Sequence, residues 1–224
     1  TPIPQGLTPE TTTLQGTSDR LTVGSFNVEN LAPTDPSSKF AGLGDAIVNR
    51  LHSPDIIAVE EIQDNSGATN NGVVDATTTF DLLIGAIRAA GGPTYAFRTI
   101  NPVDGQDGGQ PGGNIRVGFL FNPARVAFVD RPGGTSVSST AVLNGPNGPQ
   151  LSASPGRIDP LNPAFTASRK PLAGEFQFNG HSIFIIANHF NSKGGDQPLF
   201  GRFQPPVRSS EIQRQAQALV VHDF

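Results

Sequence analysis

"IFIIANHFNSKGGDQ", Ile183 to Gln197, begins as an apolar run and ends in imidazole, carboxamide, ammonium and carboxylate groups. Ile183 to Ala187 reads as a strand buried on both faces, because short β-branched runs bounded by turn residues suit a sheet interior. A strand that emerges into His189, Asn191 and Lys193 delivers polar chemistry to the rim of that sheet. Layered α/β folds place their sites at such strand ends. The plainer alternative is an ordinary strand end followed by a solvated Ser-Lys-Gly-Gly-Asp turn.

Working outward, Pro171 to Phe190 reads as a hairpin, since Asn179-Gly180 is a strong two-residue turn signal. "DIIAVE", Asp55 to Glu60, is a second buried strand that runs into acid, and "LTVGSFNV", Leu21 to Val28, is a third. Apolar spacing predicts helices over Lys39 to Leu51 and over Thr79 to Ala90, the latter stopped by Gly91-Gly92. Tyr95 to Ile100 reads as a strand and Asn101 to Gly113 as a flexible, solvated loop. Asn114 to Asp130 reads as a hairpin turning at Asn122-Pro123. Arg131 to Ser168 is a long Gly/Pro/Ser-rich excursion. Arg208 to Phe224 is helical, with Ile212, Ala216, Leu219 and Val220 predicted on the buried face. Residues 1–20 form a Pro/Thr-rich linker or surface arm, and 21–224 a domain. Helices mixed with strands, several paired as hairpins, indicate an α+β layered fold.

The totals narrow the chemistry. The formal charge of -4 over 224 residues provides no global field for a polyanion, so nucleic-acid contact needs local cations or a metal. With no cysteine, disulfides and thiolate metal sites are excluded. No apolar run is long enough to span a membrane. The Thr/Gly/Pro/Asn-rich loops and the absent methionine favour an exported, extracellular protein.

Three strands end in useful groups: Asn27, Glu61 and His189. A carboxylate beside a carboxamide can hold a hard divalent cation. A nearby imidazole can exchange protons with a water that attacks phosphorus. The other reading of Glu29, Glu60 and Asp64 is a solvated acidic rim.

"SFNVENL", "DIIAVEEIQD", "GGNIRVGFLFNPARV", "SRKPLAGEFQF" and "ANHFNSKGGD" occur in that order. Together they resemble the endonuclease/exonuclease/phosphatase superfamily, of which deoxyribonuclease I is the best-known member, with secreted bacterial nucleases nearest in pattern. The resemblance implies a four-layer α/β sandwich and metal-dependent hydrolysis of phosphoesters. It implies that Asn27 and Glu61 hold the metal and that His189 is the catalytic acid/base. Arg169, Asn191 and Lys193 would bind substrate phosphate, and Asn114 would lie near a position that orients the histidine. The cation would be magnesium, ahead of calcium or manganese.

The superfamily pattern also requires a Gly-Asp-x-Asn strand end and a late Asp-His pair, neither of which this sequence contains. The expectation is therefore an N-terminal portion of the sandwich, inactive alone and completed by a continuous or associated C-terminal half. Alternatives are a phosphatase or sphingomyelinase-like phosphodiesterase of the same superfamily, or a non-catalytic fragment or binding module. The expected partner is nucleic acid or another phosphodiester.

Overall fold

The computed structural model describes residues 8–146 and 148–224; the sequence-predicted arm therefore lies partly outside them. Strands β1 (Val23–Leu31), β2 (Ile56–Ile62), β3 (Ala96–Thr99) and β4 (Arg116–Phe121) form one sheet in the order β1-β2-β4-β3. β1 and β2 are parallel, which is possible because the crossover contains helix α1 (Ser37–Asp45) and a wider turn over Ala46–Arg50. Helix α2 (Thr77–Ala89) joins α1 on the outer face.

β2 is buried along nearly its whole length and feeds two cores by alternation. Ile57 and Val59 point into the core beneath α1 and α2, with Phe40, Ile47, Phe80 and Leu83. Ile56 and Ala58 point the other way, toward Phe119, Phe176 and Leu172. That second core lies between the first sheet and a second one, built from β5 (Ala127–Phe128), β9 (Leu172–Phe178) and β10 (His181–Ala187), with β8 (Gly156–Arg157) also on β9. Helix α3 (Ser209–Asp223) covers the far side through Val220, beside Phe224, Ala173 and Ile186. The order is helices, sheet, sheet, helix: the four-layer sandwich expected from the ordered motifs.

The β9–β10 hairpin turns at Asn179 and Gly180, both at positive φ (50° and 77°), as a two-residue turn of this hand requires. Elsewhere the structure corrects the sequence reading. β10 is an edge strand with Phe184 39% exposed, so its apolar run is only half covered. Asn114 to Asp130 is not a hairpin. β4 belongs to the first sheet and β5 pairs with β9 in the second, so the Asn122 turn carries the chain between sheets. The 131–168 excursion has structure of its own: strands β6 (Val142–Gly145) and β7 (Gly148–Leu151), β8, and a short helical turn at Pro163–Phe165. The loop after β3 is anchored rather than solvated, because Asp107 is buried between Arg157 (3.0 Å) and Lys170 (2.9 Å).

Helix α3 also turns a different face inward. Ile212 (76% exposed) and Leu219 (59%) face solvent, whereas Ser210 and Gln217 are buried. What α3 meets there is loop backbone with unpaired polar groups, and amide side chains satisfy these where aliphatic ones would not.

Candidate active site

Asn27 lies opposite Glu60 in the β1–β2 register, after which both strands slip. The slip has a local cause. Glu29, Asn30 and Glu61 all sit at positive φ (58°, 53° and 64°), an unusual region for residues with a side chain. Bulges of this kind re-aim side chains at sheet ends, and the strain persists only where neighbours hold it. Here Glu29 N–H donates to Asn27 Oδ1 (2.8 Å), Asn30 N–H donates to Glu61 Oε2 (3.0 Å), and Lys39 Nζ donates to the Glu29 carbonyl (2.6 Å).

The bulge brings Glu61 to the end of β10. Its Oε1 lies 3.4 Å from His189 Nε2, with both side chains 21% exposed. Behind them Arg169 is buried and donates from Nη2 to the Phe190 carbonyl (2.8 Å). Arg169 is therefore no surface cation. Burial pulls the His189 imidazole below its ordinary value, and the positive charge of Arg169 pulls the same way, opposed by Glu61. The ring is therefore neutral near neutral pH, with Nδ1 buried and unpartnered. Burial likewise lowers the Arg169 guanidinium, with Glu61 and Asp107 opposing.

Glu60 and Asp64 do not form a solvated rim; both are buried. Burial raises the Glu60 carboxyl, Ser25 Oγ donating to it at 2.8 Å notwithstanding, and the neighbouring Glu61 charge adds to the rise. That leaves Glu61 as the accessible carboxylate beside His189.

The other expected residues separate into two groups. Asn191 follows His189 and its N–H donates to Gln217 Oε1 (2.8 Å), while Lys193 is exposed on the same loop. Asn114 is buried away from this contact. Its Nδ2 donates to the Val73 carbonyl and to Asp104 Oδ1, and its Oδ1 accepts from Gly105 N–H, so it fastens the loop after β3.

Gln217 escaped the sequence reading. Fully buried, it accepts from Asn191 N–H and donates from Nε2 to Ser168 Oγ (2.8 Å) and the Ala164 carbonyl (3.0 Å). It thereby ties the segment before Arg169 to the segment after His189. The available signal was the Gln213/Gln217 pair at helical spacing beside the predicted apolar face. Asp107 and its cations were likewise missed as a buried cluster.

Among the described residues no group of three or more His, Asp or Glu side chains is close enough to share a metal ion. The donor chemistry still fits a hard cation. Asn27 Oδ1 and the Glu61 carboxylate are oxygen donors at one rim, and magnesium takes one or two carboxylates and completes its shell with water and substrate phosphate.

Neither a known family pattern nor a curated protein matches the sequence. Solved structures do. The chain is similar to a humanized D. rerio TDP2 carrying 14 mutations, at 18% identity and TM-score 0.43, over 91% of this chain and 58% of that one. It is also similar to an endonuclease/exonuclease/phosphatase family protein from Leptotrichia buccalis, at 12% identity and TM-score 0.46, over 88% and 61% respectively. The chain spans about three fifths of the length of either structure.

Proposed function

We propose that this chain carries the histidine and glutamate portion of a metal-dependent phosphodiesterase site, acting on nucleic acid. The observation that carries the reading is the His189–Glu61 contact, 3.4 Å, with Arg169 buried behind it at the end of two packed strands.

A neutral imidazole is a proton acceptor. His189 would take the proton of an attacking water on Nε2, and the adjacent Glu61 Oε1 would stabilise the imidazolium so formed. Arg169 sets positive charge behind the contact, and Lys193 and Asn191, on the loop after His189, would meet the substrate phosphate. Asn27 and Glu61 would hold a divalent cation, magnesium first, which when bound offsets charge developing on the phosphoryl oxygens. Sets of this kind act as units, so one histidine and one carboxylate are only part of what efficient hydrolysis needs. We infer that a C-terminal half, continuous or associated, supplies the remainder. That β1 and β10 each pair with one strand only among the described residues supports that inference. An extracellular site of action is part of this proposal, and the loop-rich composition is its support.

The test uses the natural polypeptide that contains this chain, with plasmid DNA, RNA and bis-p-nitrophenyl phosphate as substrates. Cleavage should require magnesium, stop with chelator, and fall about 10²- to 10⁴-fold in His189→Ala with unchanged circular dichroism. Cleavage by that variant at the parent rate would remove His189 from the chemistry. No cleavage of any phosphodiester with added metal would leave a binding module.

A further inference from the structure

The loop that follows the His189 segment exposes its largest apolar groups. Phe200 is 92% exposed and Phe203 52%, flanked by Leu199 and Val207, also exposed. A floppy, poorly packed segment would show no internal order, but this loop is closed and braced. Gln197 N–H donates to the Val207 carbonyl (2.8 Å), and Val207 N–H returns to Gln197 Oε1 (2.8 Å). Gln204 Nε2 donates to the Leu199 and Gly201 carbonyls (both 3.2 Å). Just before it, Asp196 accepts from Ser210 N–H (3.0 Å) and Ser210 Oγ (2.6 Å), which fixes the loop base to the first turn of α3. The rings are thus held out in water by a pre-formed frame, and pre-formed frames reduce the ordering penalty of binding.

The charge pattern indicates what the rings meet. The Arg202 guanidinium lies over the Phe203 ring, 4.5 Å from its centroid. Among the described residues, Lys193 and Arg202 have no carboxylate within ion-pair distance, whereas Arg208 and Arg214 at the start of α3 are paired with Glu211 and Asp196. In a chain of net charge -4, two cations without a carboxylate partner, Arg202 on one face of the Phe203 ring and Lys193 earlier in the same segment, together with the exposed Phe200 ring, are complementary to a ligand that is both anionic and planar. A hydrocarbon phase fits less well, because a guanidinium parked on a ring face would have to enter it or leave the ring.

We propose that the loop Gln197–Val207 is a stacking platform for unpaired bases of a single-stranded nucleic acid, with Lys193 and Arg202 on its phosphates. This deepens the phosphodiesterase reading and rests on it only for the identity of the reaction. Base faces are free to stack in single strands and covered in a duplex, so the platform favours single-stranded or locally opened substrates.

The experiment measures fluorescence anisotropy of a labelled twelve-residue oligothymidylate, and of a duplex of equal length, in chelator so that nothing is cut. Phe200→Ala and Phe203→Ala should each raise Kd for the single strand about tenfold, with little effect on the duplex. Arg202→Ala should reduce the slope of log K against log salt by about 0.7. Both rings are solvent-facing, so the variants should keep the parent fold, checked by circular dichroism. A Phe200→Ala/Phe203→Ala protein that binds the oligonucleotide as the parent does would overturn the proposal, as would a parent that does not bind it. Sedimentation with phosphatidylcholine vesicles, lost in the double variant while oligonucleotide binding persists, would instead assign the loop to a membrane surface. Hydrolysis of bis-p-nitrophenyl phosphate is scored separately. A platform that binds in a protein that never hydrolyses sinks the enzyme reading alone.

Discussion

Gln217 links the segment before Arg169 to the segment after His189 with one carboxamide. Asn191 N–H and Ser168 Oγ both pair with it, while the Ala164 carbonyl that it also meets accepts from Gln213 Nε2 (3.1 Å) as well. Gln217→Leu keeps volume and removes all three bonds. Each buried group left unpaired costs about 1–3 kcal/mol, so the variant should unfold at visibly lower urea concentration. If the residue also positions the site, phosphodiester cleavage should fall through kcat rather than KM, and Gln217→Glu should restore the Asn191 bond while losing the one to the Ala164 carbonyl, since a carboxylate cannot donate. A Leu variant with parent stability and parent kcat would show that the knot is idle. The sequence pointed to His189 and Glu61 because they close buried strands, and the resemblance of the ordered motifs added Arg169. Gln217 is chemically ordinary, and only its burial against loop backbone reveals what it does.

Among the elements, α1 and α2 show how a close approach outweighs local preference. A Cβ added at Gly44 would lie 2.6 Å from the Ala86 carbonyl oxygen, whereas one added at Gly42 would meet nothing within 4 Å. Replacing glycine by alanine inside a helix gains about 0.8–1.0 kcal/mol of propensity, and overpacking costs about 1–3 kcal/mol. Gly42→Ala should therefore raise the melting temperature and Gly44→Ala lower it. Equal shifts in thermal denaturation would mean that the helices separate freely. The hairpin misreading belongs at this level too. "RVGFLFNPARVAFV" has the local signature of two strands and a tight turn, but β4 finds β2 and β3 while β5 finds β9. Turn chemistry specifies a reversal of the chain; it does not specify which sheet receives the next strand.

Across the whole molecule, Asp55 joins parts distant in sequence. It accepts from Thr22 N–H (2.8 Å) and Thr22 Oγ1 (3.0 Å) at the start of β1, and from Arg125 Nε (2.7 Å) at the crossing between sheets. Arg125 in turn donates to the Arg20 carbonyl (3.1 Å), fastening the arm. Burial raises the Asp55 carboxyl, but the Arg125 and Thr22 hydrogen bonds outweigh it, and the group ends below its ordinary 3.8. A carboxyl depressed on folding contributes stability that is complete above its unfolded value and lost as pH falls through the folded one. Asp55→Asn should therefore destabilise the protein by about 1–3 kcal/mol at pH 7, with the difference from the parent shrinking below about pH 4. Urea titrations at pH 7 and pH 3 check this. A gap that is the same at both would remove the ion pair as its source.

Apolar spacing and turn residues alone determined the helices, the main strands, the Asn179-Gly180 hairpin and the layered class, because each is a local preference written in neighbouring residues. Tertiary structure decided which sheet takes β5, which face α3 buries, that β10 stands at an edge, and that a strained Glu61 reaches His189 within 3.4 Å. Those outcomes depend on groups far apart in the chain competing for the same buried space and hydrogen bonds. No local pattern contains that competition.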